Sequence, residues 1–186
     1  MSRRRGDIVK TVVIYKSKSG FTKEYAKWIA HELSADIFEA SKVNSEIASE
    51  YDAIIYGGGL YAVGINGVEF VTENLDKFKG KKVVVFATGA SPYKEEVVGV
   101  VSNKNFTLEQ QKQIRFFYFR GGFDFSKLKP VDKVLMTLMK WRIKMKDKNK
   151  LTPDETGMLA VYDHPENYTT KENIDVLIAY VKPDHR

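Results

Sequence analysis

Apolar residues follow two alternating patterns along the chain. Short runs rich in β-branched and aromatic side chains are typical of strands buried on both faces. Four such runs are residues 11–16, 52–56, 82–87 and 114–119. Apolar residues three or four apart predict helices between them at residues 23–34 and 68–78, and a polar segment with a typical helix start predicts a third at residues 107–113. Strands that alternate with helices at this spacing indicate βαβ units and a parallel sheet covered on both faces.

The remaining segments carry shorter patterns. Residues 36–40 fit a short strand, residues 44–50 a short helix or loop, and residues 158–162 a short strand or extended stretch. The length is that of one domain with a full core. We therefore predict a single domain over residues 1–186, with a basic tail at residues 1–10.

Two of the predicted helices have recognisable starts. The helix at 107–113 begins with Thr-Leu-Glu-Gln, and the last helix begins at Thr169 with Glu172 three residues later. The second pattern predicts a capping box, in which the two side chains bond to each other's backbone N–H groups. We expect this last helix to end before Pro183, since proline cannot continue it.

Composition narrows the possible chemistry. The chain has no cysteine, which excludes disulfides, thiol nucleophiles and thiolate metal sites. The three histidines, His31, His164 and His185, are far apart, so no metal site is expected. No apolar run approaches the roughly 20 residues of a spanning helix, and the apolar segment behind the arginine-rich start is too short for a signal peptide. We expect a cytoplasmic protein.

The turn between the first strand and the first helix has the composition of an anion site. It consists of Ser17, Lys18, Ser19, Gly20, Phe21 and Thr22. Unpaired backbone N–H groups and the helix dipole favour an anion at such a turn, and the hydroxyls add donors. A second interpretation is an ordinary strand-to-helix loop with Thr22 as the N-cap. The nucleoside-triphosphate and dinucleotide glycine motifs are both absent.

Two more unusual loops follow buried strands. Residues 57–67 contain five glycines and Tyr61, and residues 88–93 end in Tyr93. Ligands of open parallel sheets bind beyond the carboxyl ends of the strands, and tyrosine rings offer flat faces for a planar ligand. With the turn at 17–22, these loops predict a ligand that carries both a phosphate and a planar ring.

The turn at 17–22 resembles the phosphate loop of flavodoxins, and residues 51–59 (Tyr-Asp-Ala-Ile-Ile-Tyr-Gly-Gly-Gly) are similar to the third strand and flavin loop of that family. The resemblance covers about residues 11–181 and implies a three-layer α/β sandwich. Its parallel sheet would have five strands in the order 2-1-3-4-5, and the protein would bind FMN and transfer electrons through it.

The resemblance also implies site residues. The phosphate would be held by Ser17, Ser19, Gly20 and Thr22, with backbone N–H groups from Lys18 and Phe21. The isoalloxazine would lie against Gly59, Leu60, Tyr61 and Ala62, with Thr88, Gly89 and Tyr93 on its other side.

The charge distribution departs from that family. Residues 126–150 contain nine basic and two acidic residues, a local charge of +7 in a chain of net +6, whereas flavodoxin electron carriers are usually acidic. A basic helical insertion after the last core strand resembles the flavodoxin-fold protoporphyrinogen oxidases, which pass electrons to a quinone. This second resemblance implies an enzyme with a porphyrin substrate and a quinone acceptor. The other interpretations are an electron carrier that acts on a redox partner protein, and a flavodoxin-fold module that binds a partner or a membrane without a redox role.

The insertion predicts an amphipathic basic helix. At 100° per residue, one broad face holds Val131, Val134, Leu135, Leu138, Met139, Trp141 and Met145. Lys133, Lys140 and Lys144 cluster on the opposite face. The helix could pack its apolar face on the domain and leave the lysines in water. It could instead cover the edge of the flavin, or contact an anionic membrane through residues 131–146 on the inner face. Nucleic acid is not expected, because no base-reading module accompanies the helix.

Overall fold

The computed structural model describes residues 9–61, 63–128, 130–147, 150, 151, 155, 159, 162 and 165–182. The predictions for Ala62, for most of the basic tail and for most of residues 158–162 fall outside these ranges. Within them, no helix combines the length and the apolar content needed to cross a bilayer.

The described residues form eight strands, in one large sheet and one small one. Their bounds are β1 Thr11–Lys16, β2 Asp36–Glu39, β3 Ala53–Tyr61, β4 Gly64–Ile65, β5 Lys82–Gly89, β6 Ile114–Arg120, β7 Gly122–Phe123 and β8 Glu166–Asn167. Five parallel strands lie in the order β2-β1-β3-β5-β6. If these five strands alone are numbered in chain order, their order is 2-1-3-4-5, so the predicted order is confirmed. β4 pairs antiparallel with β3, and β7 pairs with β8.

Seven α-helices have both ends within the described ranges. Their bounds are α1 Phe21–Leu33, α2 Ser45–Ala48, α3 Glu69–Thr72, α4 Glu95–Asn105, α5 Leu108–Gln113, α6 Pro130–Lys144 and α7 Asp175–Val181. Glu155, Leu159 and Tyr162 are helical as well, so the predicted short strand or extended stretch at 158–162 is wrong at its two described residues. The predicted helix at 68–78 is shorter than expected, because after α3 the chain continues in turns. α4 has no counterpart among the predicted helices.

The core has two halves, one on each face of the sheet. Ile54 and Tyr56 face one half, and Ile55 faces the other with Phe86, as the alternation of side chains along a strand requires. α1 and α7 cover the second half, and the segment around α3 covers the first together with α4. The expected three-layer arrangement is therefore observed, and both faces of the central strands are buried.

Two predicted helix starts are wrong. α1 begins at Phe21, and Gly20 is its N-cap in the left-handed conformation with φ 98°. Thr22 is therefore inside the helix and cannot be the N-cap. At the other end of the chain, the helical turn begins after Thr170, which is its N-cap and makes no side-chain cap hydrogen bond, so the capping box of Thr169 with Glu172 does not form. The Thr169 hydroxyl lies within hydrogen-bond distance of Asn167 and Glu24 instead. The Thr107–Gln110 start does form a capping box.

The apolar face of helix α6 points into water, although its pattern would also allow that face to pack on the domain. The seven apolar residues of the predicted face are 41–72% exposed. Ile143 is buried on the inner side instead, and Lys133 and Lys140 are half-buried there. The interpretation of a helix that buries its apolar face and leaves its lysines in water is therefore wrong for the chain in this structure.

Candidate functional site

The carboxyl ends of β1, β3, β5 and β6 surround a cavity of about 110 Å³. The sheet order reverses beside β1, because β2 lies on one side of β1 and β3 on the other. Ligands bind open parallel sheets at such a switch point. The cavity is lined by Lys18, Ser19, Phe21, Thr22, Gly59, Leu60, Tyr61, Thr88, Gly89, Ala90, Gly121 and Gly122. Nine of these twelve residues are among the thirteen predicted from the sequence.

The turn at residues 17–22, which we call the anion turn, is built to present backbone donors. The left-handed Gly20 reverses the chain into α1, and its N–H donates to the Ser17 hydroxyl at 3.1 Å. The N–H groups of Ser19, Phe21 and Thr22 make no hydrogen bond to another described residue. Since the N-terminus of α1 adds partial positive charge, the turn can bind an anion.

A pair of buried hydroxyls joins the anion turn to the end of β5. The Oγ1 atoms of Thr22 and Thr88 are 2.6 Å apart, and either can donate to the other. Both residues are buried and both line the cavity. In such a pair one hydrogen joins the two oxygens and the second is free to point elsewhere. The pair can therefore add one donor beside the free N–H groups.

The three glycines at the end of β3 serve two different purposes. A Cβ on Gly57 would overlap the Phe86 ring, and one on Gly58 would lie 2.6 Å from Ile65 Cγ2. A Cβ on Gly59 would only reach ordinary contact with Thr22 Oγ1, at 3.4 Å. Packing of the core therefore requires the first two glycines, whereas the third leaves open space above the hydroxyl pair.

Asn105 holds the tip of the β3–β4 hairpin. From the end of α4 its side chain accepts from the Ile65 N–H at 2.8 Å and donates to the Val63 carbonyl at 2.7 Å. This fixes the strand end that carries Tyr61. Asn105 was not predicted from the sequence, because its role depends on a contact across about 40 residues of chain.

Lys18 connects the anion turn to two other elements. Its ammonium lies 2.6 Å from the Asp132 carboxylate at the start of α6 and 4.1 Å from the centroid of the Tyr61 ring. Burial, together with the Asp132 charge, raises the pKa of Tyr61 to about 12. The phenol is therefore neutral at ordinary pH and can stack or donate without adding negative charge.

The loop after β5 is held by the neighbouring strand β6. The Gly121 N–H donates to the Gly89 carbonyl at 2.7 Å, the Tyr118 hydroxyl donates to the Ser91 carbonyl at 2.6 Å, and Arg120 Nε donates to the Ala90 carbonyl at 3.2 Å. Ala90, Gly121 and Gly122 are the lining residues that the sequence analysis did not name. The pair Gly121-Gly122, directly after a buried strand, could have indicated that this loop also lines the site.

Three described residues of the predicted set do not line the cavity. Ser17 supports the anion turn through Gly20, so both contribute to the shape of the turn. Tyr93 is 62% exposed and lies beyond the segment that β6 holds in place. Ala62, the remaining predicted residue, lies outside the described ranges.

The donor set fits the phosphate end of FMN. Lys18 is the only charged side chain among the described lining residues, and no carboxylate is among them. The free N–H groups and the hydroxyl pair are donors for the phosphate, and Tyr61 offers a ring face beside them. The cavity is smaller than the roughly 300–1,000 Å³ of typical ligand pockets. It can therefore enclose part of such a molecule, with the rest at the open rim.

The fold and the position of the cavity define a doubly wound α/β protein with a candidate ligand site at the switch point. The model of the flavodoxin domain family matches residues 12–150. That is well over half of the chain, and the chain belongs to this family. It also shares 35% identity over 88 residues with an uncharacterised protein of Methanocaldococcus jannaschii. The match covers 46% of this chain and 57% of that protein's length.

Solved structures give matches of lower similarity. A flavodoxin from the domain Archaea has a TM-score of 0.42 and 17% identity, covering 60% of this chain and 85% of that one. The flavodoxin of Megasphaera elsdenii has a TM-score of 0.42 and 19% identity, covering 58% and 84%. None of the matches described here supports the resemblance to protoporphyrinogen oxidases.

Proposed function

We propose that this protein binds FMN non-covalently at the carboxyl edge of the sheet and carries out flavin-mediated electron transfer. The observation that carries the proposal is the anion turn, whose free N–H groups lie beside the Thr22–Thr88 hydroxyl pair at the switch point. Membership of the flavodoxin domain family supports a flavin as the ligand.

Each part of the site has a role in this proposal. The N–H groups of Ser19, Phe21 and Thr22 donate to the phosphate, and the hydroxyl pair adds one more donor. Leu60 and Tyr61 lie on the side of β3 and Gly89 on the side of β5, where the ring system would be held between them. Bound FMN supplies the redox chemistry, and the protein positions it and adjusts its electronics.

The proposal is tested by titrating the flavin-free protein with FMN and following flavin fluorescence. We expect a saturable change with one site per chain. The protein with bound FMN, once reduced, should then pass electrons to an acceptor such as cytochrome c faster than free FMN does at the same concentration. A purified protein that is colourless and leaves FMN fluorescence unchanged would contradict the proposal.

A matched pair of glycine variants locates the site. Gly59→Ala places a methyl group above the hydroxyl pair without a clash, so we expect a folded protein with FMN affinity at least about tenfold weaker. Gly99→Ala adds the same group in open space on α4 and should leave FMN affinity unchanged. If both variants bind FMN with equal affinity, FMN does not bind beside Gly59.

A further inference from the structure

The outer face of α6 is an apolar surface that the protein leaves in water. It consists of Val131, Val134, Leu135, Leu138, Trp141 and Met145. At 100° per residue these six side chains fall within an arc of about 120°, and each is 57–72% exposed. A continuous arc of this kind marks an interaction surface.

The inner side of α6 explains why the arc points outward. Asp132 pairs with Lys18 of the anion turn, Ile143 is buried, and the Tyr162 hydroxyl donates to the Met136 carbonyl at 2.7 Å. The Lys140 ammonium lies 4.9 Å from the centroid of the Tyr162 ring. These contacts fix the rotation of the helix about its axis, so the exposed arc is a defined surface.

Positive charge lies within and beside this arc. Arg142 lies inside the arc, about 20° from one edge, and Lys144 lies about 60° beyond the other edge. Both are exposed. Neither makes an ion pair with a described residue. The acidic residue nearest the start of the helix, Asp132, is already paired with Lys18. An occupant of the outer face therefore meets an apolar arc that contains one exposed cation, Arg142, and is bordered by another, Lys144.

We propose that the outer face of α6 docks onto an anionic lipid surface. A helix of 15 residues is about 22 Å long and too short to span a bilayer, but it can lie in the interface with its apolar face among the acyl chains. Arg142 and Lys144 can then reach lipid phosphates while their stems stay among apolar groups. Trp141 is a residue type enriched at that depth.

A protein partner fits the same surface less well. The centre of a protein interface is depleted of charged residues, and Arg142 interrupts the arc of the outer face. A lipid interface contains phosphates at the depth that Arg142 reaches. The charge pattern therefore favours lipid over a second copy of this chain or another protein.

The test is flotation with vesicles of phosphatidylcholine and phosphatidylglycerol, compared with phosphatidylcholine alone. In a Trp28→Phe background, Trp141 is the only tryptophan left, and its emission reports directly on the outer face. We expect the protein to float with the anionic vesicles, and Trp141 emission to move to shorter wavelength. Flavin content should not matter, so this result is independent of the proposed function.

Three sets of variants separate the contributions. Val134→Gln with Leu135→Gln and Leu138→Gln should lower vesicle binding at least about tenfold. Arg142→Gln with Lys144→Gln should lower binding to anionic vesicles by about fivefold per charge. Leu108→Gln with Val176→Gln changes two residues that are 76% and 63% exposed on other helices, and this control should bind like the unaltered protein.

The proposal is overturned if the protein does not float and Trp141 emission does not move. It is also overturned if the triple glutamine variant binds vesicles as well as the unaltered protein. A dimer that the triple variant dissociates, with no vesicle binding, would assign the outer face to self-association instead.

Discussion

The carboxyl edge of the sheet and the outer face of α6 are held in place in different ways. At the carboxyl edge, hydrogen bonds join the end of β5 to its neighbours: the Thr22–Thr88 pair joins it to the first turn of α1, and the Gly121–Gly89 bond joins it to the end of β6. On the outer face of α6, the side chains project into water and contact little else. The first region fixes donors at defined positions, which suits one ligand of defined shape. The outer face of α6 presents an exposed apolar area with positive charge, which suits the lipid surface proposed above.

This difference predicts where substitutions affect folding. Substitutions at the carboxyl edge should change both stability and ligand binding, because each group supports its neighbours. Substitutions on the outer face should change binding alone.

The largest effect is expected for Gly57→Ala. The new methyl group would overlap the buried Phe86 ring, and overpacking of this kind costs up to about 3 kcal/mol. Thermal unfolding should show a Tm lower by roughly 10 °C. Gly99→Ala is the matched control, since open space surrounds it within a helix, and it should raise the free energy of unfolding by about 0.5–1 kcal/mol. A Gly57→Ala protein as stable as the original would show that the edge is not tightly packed.

Thr22→Val should have the next largest effect. It keeps the shape of the side chain but removes a hydroxyl from the buried pair with Thr88. Hydrogen bonds to charged groups are worth about 1.5–3 kcal/mol, so FMN affinity should fall roughly tenfold to a hundredfold in a fluorescence titration. Thr72→Val removes a hydroxyl that donates only to its own helix, at Val68, and should leave FMN affinity unchanged. Similar affinity in both variants would exclude the hydroxyl pair from the phosphate site.

Asp132→Asn tests the contact between the two regions. The Asp132 carboxylate competes with a bound phosphate for Lys18, and its negative charge opposes an anion in the turn. Removing the charge should strengthen FMN binding about fivefold, in line with the roughly 1 kcal/mol of a partly exposed ion pair. The gain should shrink as salt is added. Glu46→Gln disrupts another ion pair, with Lys77, and should have no effect on FMN. Weaker FMN binding by Asp132→Asn would mean that the ion pair positions Lys18 for the phosphate.

The smallest effect on stability is expected on the outer face of α6. Leu135→Gln with Leu138→Gln replaces side chains that are exposed in the folded protein. The free energy of unfolding should therefore change by no more than about 0.5 kcal/mol in a denaturant titration. A loss of several kcal/mol would show that this face is packed in solution.

The strands could be predicted because they depend on local patterns, and buried runs such as residues 82–87 were sufficient for the sheet. The hydroxyls and glycine of the anion turn allowed either a helix cap or an anion site, and only the loops after the other strands favoured the second interpretation. Asn105 could not be predicted, since it acts through a bond to a distant segment. The residues of α4, four of them valine and one glycine, gave no helical pattern.

The orientation of α6 illustrates another limit of the sequence. Periodicity predicted that its apolar residues share a face, and they do. It could not show whether that face points inward, because the rotation of the helix depends on the Lys18–Asp132 ion pair and on Tyr162. Both contacts join segments far apart in the chain.

The central claim is that the anion turn holds the phosphate of FMN. The most direct test compares the affinities of the flavin-free protein for FMN and for riboflavin, which has the same ring system but no phosphate. We predict that FMN binds at least about a hundredfold more tightly, because several charge-assisted hydrogen bonds are lost with the phosphate. Equal affinities for the two flavins, or no binding of either, would contradict the claim.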